Sequence, residues 1–359
     1  MPETSQLLVL GLSGPELTGE EEVLFRKLQP GGFILFSRNI ETPAQTRTLT
    51  DQLRSLSTLP PLIAIDNEGG RVWRTAAFGT SPPSAAEISH AGDPQLASLL
   101  GYLTGRLLRQ VGIYFNLAPV LDLDDHPGEQ KALRGRCWGN DTHQVIALAG
   151  LCNRFQRKQG ILGCGKHFPA GGRARVDPHH ELPVVDASLE DLLARDLIPY
   201  TALMPELDAV LLAHIHFSRI DPDAPGLPSS LSRAIATRLL RDQLGYEGLV
   251  LTDDLDMGAI QKAYGTPAAA RTAVLAGVDQ VLLCHEFLLA GETLAALRDI
   301  PPAIVHDCVS RIDKARWRVA DTLSFDEGQM QILADEFAQL RSDVPALGED
   351  GSNSPVEAY

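Results

Sequence analysis

The chain has 359 residues, 44% of them hydrophobic and 21% charged, so it carries enough apolar material for a packed core and does not read as a disordered or fibrous polymer. Asp and Glu number 46 against 31 Lys and Arg, giving a formal charge of −15, the wrong sign for holding nucleic acid or an acidic membrane. Length alone allows one α/β barrel or two average domains.

The opening MPETSQLLVLGLSG has no basic segment, and its apolar run is too short for a secretory leader or a membrane span, which predicts a cytoplasmic protein. Short apolar runs that read as buried strands then recur at 7–12, 32–36, 62–66, 114–117, 161–166, 209–214, 249–253 and 280–284. Continuous apolar runs, rather than in/out alternation, are expected of parallel strands covered on both faces. Between them lie helix signals. Thr18 precedes Glu21 at capping-box spacing, and Ser188 precedes Asp191 in the same way, followed by an apolar stripe that Pro199 ends or kinks. The 233–244 stretch predicts a third helix, with Gly245 as its cap.

Eight strand runs with helices between them predict a single-domain (β/α)8 TIM-type barrel over residues 1–320. A doubly wound sheet is the alternative, but no GxGxxG follows the first run. Met330, Leu333, Phe337 and Leu340 predict a helical segment over 321–342, and 343–359 reads as a flexible acidic tail without Lys or Arg. Cys137, Cys152, Cys164, Cys284 and Cys308 are scattered and odd in number, which fits reduced thiols better than disulfides or a zinc site.

In such a barrel the active site is built at the carboxyl ends of the strands. The third run ends in Asp66, Asn67 and Glu68 and continues to Arg71 and Arg74; the fifth ends in Lys166 and His167, the sixth in His214 and His216, the seventh in Asp253 and Asp254. Asp253 has a plain structural reading, as cap of the next helix, a job open equally to Asp254 or Asp256.

The runs IDNEGGRVWR, NLAPVLDLD, GKHFP, DPHHELP, DLIPY and GYEGLVLTDDLDM resemble, in order, the motifs of glycoside hydrolase family 3, most closely its single-domain bacterial β-N-acetylglucosaminidases. The resemblance implies a cofactor-free, retaining exo-β-N-acetylglucosaminidase acting on small glycosides such as cell-wall muropeptides. It places the nucleophile on Asp253, a strand-end carboxylate suited to attack an anomeric carbon if nearby cations keep it ionised, and the proton donor on His179, paired with Asp177 in a loop after the fifth strand. Such a pair is chemically reasonable, because a carboxylate orients the imidazole and favours its protonated form. Asp66, Arg74, Arg136, Lys166 and His167 would hold the sugar, with His214 either a further contact or a support. Glu68 and Arg71 are expected to pair with each other in the turn.

The chain also departs from the family pattern. Ala170 and Gly171 replace Gly and His in the usual KHFPGHG, Pro178 stands between Asp177 and His179, Asn67 replaces a common Gln, and Cys137 and Trp138 stand where Ser and Phe are usual. Other readings therefore stay open. One is a β-glycoside phosphorylase of the same family; another is a non-catalytic sugar-binding protein on the same barrel. A third is a metal-dependent hydrolase drawing on His214 with His216, His179 with His180, and Asp253, Asp254 and Asp256, although no recognised ligand spacing completes such a site.

Overall fold

The computed structural model describes residues 3–126, 132–178, 180–319 and 321–347. Eight parallel strands close into a barrel in chain order: β1 (Leu8–Leu10), β2 (Gly32–Leu35), β3 (Leu62–Ile65), β4 (Phe115–Asn116), β5 (Leu162–Phe168), β6 (Ala209–Leu212), β7 (Leu249–Asp254) and β8 (Gln280–Leu283). Each falls on one of the apolar runs, β5 and β7 reaching slightly beyond theirs. β8 closes the ring against β1, with Leu8, Val9 and Leu10 opposite Val281, Leu282 and Leu283. Almost every strand residue is buried, as expected when helices cover the outside and side chains fill the inside.

The connecting helices start where their capping residues predict. Thr18 accepts from the Glu21 amide while Glu21 reaches back to the Thr18 amide, and Ser188 and Asp191 form the same reciprocal pair. After Ser188 the helix spans only Leu189–Ala194, and a second begins at Ile198. Pro199 sits in the first turn of that second helix, where a missing N–H leaves no helical bond unmade. The third expected stretch is helical over Ala234–Gln243 with wider turns, the Leu244 amide bonding five residues back to Leu239.

A final helix, Glu327–Asp343, buries Met330, Leu333, Phe337 and Leu340. It lies along the Pro94–Gln110 helix. Phe337 meets Trp73 edge-on, with ring centroids 5.2 Å apart, and Arg341 binds Glu87 at 2.8 Å. Trp73 belongs to a small hairpin, Asn67–Gly69 with Val72–Trp73, that follows β3. The last helix therefore buttresses the turn that presents Asp66 and Arg74. Among the described residues no helix is long and apolar enough to cross a membrane.

The amino-terminal mouth of the barrel has charges of its own. Asp208 is bound by Arg157 and Arg318, and Asp279 by Arg241 and Arg311. Asp208 also accepts the Gly163 amide and Asp279 the Val250 amide, so these clusters fasten helices to strand starts.

Candidate active site

At the opposite mouth, Asp66, Arg74, Arg136, Lys166, His167 and Asp253 line a single cavity floored by Ile34, Leu117, Leu211 and Leu282. These residues come from four different strand ends, and closure of the barrel is what makes them neighbours.

One wall is an ion network. Lys166, 2% exposed, puts its ammonium 2.6 Å from both Asp66 Oδ1 and Glu68 Oε1. Arg136, 6% exposed, donates Nε and one terminal N–H to the two oxygens of Glu68 at 2.8 and 2.7 Å. Burial alone would raise the Glu68 carboxyl, but Arg136 and Lys166 outweigh it and hold Glu68 far below the usual carboxylate range. Burial likewise opposes the charges on Arg136 and Lys166. Glu68 overcomes it for the guanidinium, and Asp66 with Glu68 for the ammonium, so both cations are more firmly protonated than in water. Two anions face two cations, and the wall is close to neutral. The expected pairing of Glu68 with Arg71 gives way to this arrangement, because both Glu68 oxygens are directed at Arg136 and Lys166. The sequence held a signal for it: Asp66 and Glu68 are two residues apart in extended chain and so can face the same partner.

His167 is oriented from behind. Its Nδ1 lies 2.7 Å from Asp122 Oδ2, its backbone N–H donates to the same oxygen, and Arg136 approaches Nε2 at 3.4 Å. Since arginine can only donate, Nε2 is the acceptor and Nδ1 carries the proton. Asp122 is fully buried and also accepts the Gly171 amide at 2.6 Å. A Cβ on Gly171 would come within 2.9 Å of both Asp122 oxygens, so the glycine lets the chain lie against this carboxylate. Sequence reasoning passed over Asp122; an acid inside the apolar VLDL stretch, which needs a partner once buried, was the available sign.

Arg74, 1% exposed, lies with its guanidinium 5.5 Å from the centre of the Phe36 ring, which Arg38 also approaches at 4.7 Å. Its amide donates to Asn67 Oδ1, and Asn67 is tied in turn to Thr75 and Asn116. Asn67 thus fixes the hairpin that carries Arg74.

Asp253 is half-buried near the end of β7 and accepts the Asp254 amide at 2.9 Å. It does not cap a helix: the next one, Gly258–Gln261, is preceded by Met257 and has no side-chain cap. Asp256 instead receives the His285 and Glu286 amides. Asp254 turns inward, accepting the Cys284 and Asp256 amides, and burial together with the neighbouring carboxylates pushes its acid group well up.

Asp253 also faces a second, mostly apolar crevice that it shares with Arg136, His167, Gly171, Pro178, Ala213 and His214. Pro178 brings the loop after β5 to the Asp253 side of the barrel. Asp177 is partly buried, and its carbonyl accepts the His180 and Glu181 amides. His179 lies outside the described residues. His214 is 0% exposed and both its ring nitrogens meet protein oxygens, Ser230 Oγ at 2.7 Å and the Asp254 carbonyl at 2.8 Å. The structure therefore favours the supporting alternative for His214 over contact with a sugar. His216 directs Nδ1 to the Leu227 carbonyl, and among the described residues no three His, Cys, Asp or Glu side chains are placed to hold a metal ion.

Comparison with known proteins supplies a chemical context. The model of the glycosyl hydrolase family 3 N-terminal domain matches residues 3–315. A β-hexosaminidase of Bordetella avium is 36% identical over 305 residues, covering 83% of this chain and 85% of that protein. Among solved structures, a family 3 β-N-acetylglucosaminidase from Paenibacillus sp. superposes with a TM-score of 0.86 at 32% identity, over 94% of this chain and 68% of that one. NagZ of Neisseria gonorrhoeae in complex with N-trifluoroacetyl-D-glucosamine gives a TM-score of 0.80 at 29% identity, over 93% and 98% of the two chains.

Proposed function

Given that this chain belongs to glycosyl hydrolase family 3 and is a β-N-acetylhexosaminidase, we propose that it releases N-acetylglucosamine from the non-reducing end of β-linked glycosides with net retention, through a covalent intermediate on Asp253. The observation that carries this reading is the convergence of Asp253 with Asp66, Arg74, Arg136, Lys166 and His167 around one cavity. Carboxylate acceptors and cationic donors on one wall suit the vicinal hydroxyls of a pyranose and hold its anomeric carbon against Asp253.

In the first step an Asp253 oxygen bonds to C1 as the glycosidic C–O bond breaks, and the departing oxygen takes a proton from His179, which Asp177 orients. In the second, water attacks C1, gives its proton to His179, and displaces the Asp253 carboxylate. The charge balance of the wall supports water over phosphate as acceptor: Asp66 and Glu68 already offset Lys166 and Arg136, so the cavity offers an incoming dianion little excess positive charge. Cell-wall muropeptides, met in the cytoplasm, are the proposed natural substrates.

A chromogenic N-acetylglucosaminide assayed with wild type, Asp253→Ala and His179→Ala tests the reading. Release by the wild type and its near-abolition in Asp253→Ala is the expected result. Equal background release from all three would identify a sugar-binding protein, and a sugar 1-phosphate formed only with added phosphate would identify a phosphorylase.

A further inference from the structure

The loop that follows β5 is fastened to the segment that carries the nucleophile. The Ala259 amide donates to the Pro178 carbonyl at 3.3 Å, and Lys262 Nζ donates to the His180 carbonyl at 2.8 Å. Those two carbonyls belong to the residues on either side of position 179. Both donors come from the short helix Gly258–Gln261 and the residue that ends it, five to nine positions beyond Asp253. Between them and the nucleophile, Met257 forms part of the sugar-cavity wall. One stretch, 253–262, thus supplies the nucleophile, part of the cavity and the anchor points of the loop.

The Ala259 bond is main-chain to main-chain and independent of side-chain identity. Lys262 is different: it is exposed, and its aliphatic stem carries the ammonium across to a carbonyl of another loop. We propose that Lys262 is a positioning residue that clamps the loop after β5, through the His180 carbonyl, against the Asp253 segment, so that proton donor and nucleophile act in register. The proposal rests on the assignment of His179 as the acid. Lys262 touches neither substrate nor reacting atoms; it acts through the loop alone.

The test compares kcat/KM for a 4-nitrophenyl and a methyl β-N-acetylglucosaminide, since only the second needs a proton on its leaving oxygen, using wild type, Lys262→Met and Lys262→Arg. Lys262→Met is expected to lose about 3- to 10-fold on the methyl glycoside, the scale of one hydrogen bond, and to stay within about twofold of wild type on the nitrophenyl glycoside. Lys262→Arg, which keeps a cationic donor, is expected to restore most of the loss, and hydrogen exchange at the His180 and Glu181 amides should speed up in Lys262→Met. Equal loss on both substrates, or no loss on the methyl glycoside, overturns the clamp whatever the exchange shows. His179→Ala measured alongside separates the two ideas. If it spares the methyl glycoside, the acid assignment fails; if it is selective while Lys262→Met is not, only the clamp fails.

Discussion

The ion-paired wall and the loop after β5 face the same carboxylate, Asp253, but are built in different ways. The wall is sealed: Glu68, Arg136 and Lys166 are almost wholly buried, and each is bound by charged partners at 2.6 to 2.8 Å. The loop is held differently: the Gly171 amide binds Asp122, Arg173 binds Asp196 at 2.7 Å, and the Pro178 and His180 carbonyls accept from the 258–262 segment. In the function proposed above, buried charges on strand ends seat the sugar ring, and a loop bound to the Asp253 segment through main-chain carbonyls carries the group that gives and retakes the proton. The contrast implies that damage to the wall shows in stability and binding, and damage to the loop in proton delivery.

Asp253 lies where the two regions meet, so its removal is expected to have the largest effect. Asp253→Asn should lower kcat by about 10^3- to 10^5-fold, with thermal stability nearly unchanged because the side chain is half-exposed and caps no helix. His179→Ala should break the loop's contribution alone, reducing kcat/KM about 10^2- to 10^4-fold for glycosides with poor leaving groups and little for activated ones. A uniform loss across leaving groups would merge the two regions into one.

Glu68→Gln should do the reverse, destabilising the fold by about 3 to 5 kcal/mol and raising KM on every substrate, because it takes the bound carboxylate from buried Arg136 and one of the two from buried Lys166. The sign of its pH dependence follows from the depressed folded-state pKa of Glu68. The carboxylate stabilises the fold above its ordinary value of 4.5, and that contribution fades as the pH falls below it toward the lower folded value. The difference in Tm between wild type and Glu68→Gln should therefore be full at pH 7 and narrow toward pH 3. Asp122→Asn gives the smallest and most discriminating effect, since Asp122 holds both His167 of the wall and the Gly171 amide at the root of the loop. It should raise KM several-fold and also steepen leaving-group dependence, whereas either change alone would place Asp122 in one region only.

The barrel was readable in the sequence because parallel strands covered on both faces leave continuous apolar runs, and those runs mark where each strand ends and polar chemistry begins. The last helix was also readable from Met330, Leu333, Phe337 and Leu340, but spacing within one helix says nothing of which surface it covers, and its contact with Trp73 became visible only in three dimensions. The wall shows the same limit. Arg71 is Glu68's neighbour in sequence, yet the guanidinium that binds it comes from Arg136, 68 positions away, because barrel closure and not chain proximity selects the partner. His214 stood at a strand end among true cavity residues, and the ring's full engagement by Ser230 and Asp254 left no trace in the order of amino acids.

Retention through a glycosyl-enzyme requires a bond between Asp253 and the sugar. The most direct measurement is intact-protein and peptide mass analysis after reaction with an activated 5-fluoro-N-acetylglucosaminide, whose fluorine slows turnover of a glycosyl-enzyme. A single adduct on the peptide containing Asp253, absent in Asp253→Asn, is the predicted result. Continued turnover of ordinary substrate with no adduct, or an adduct on another residue, would contradict it.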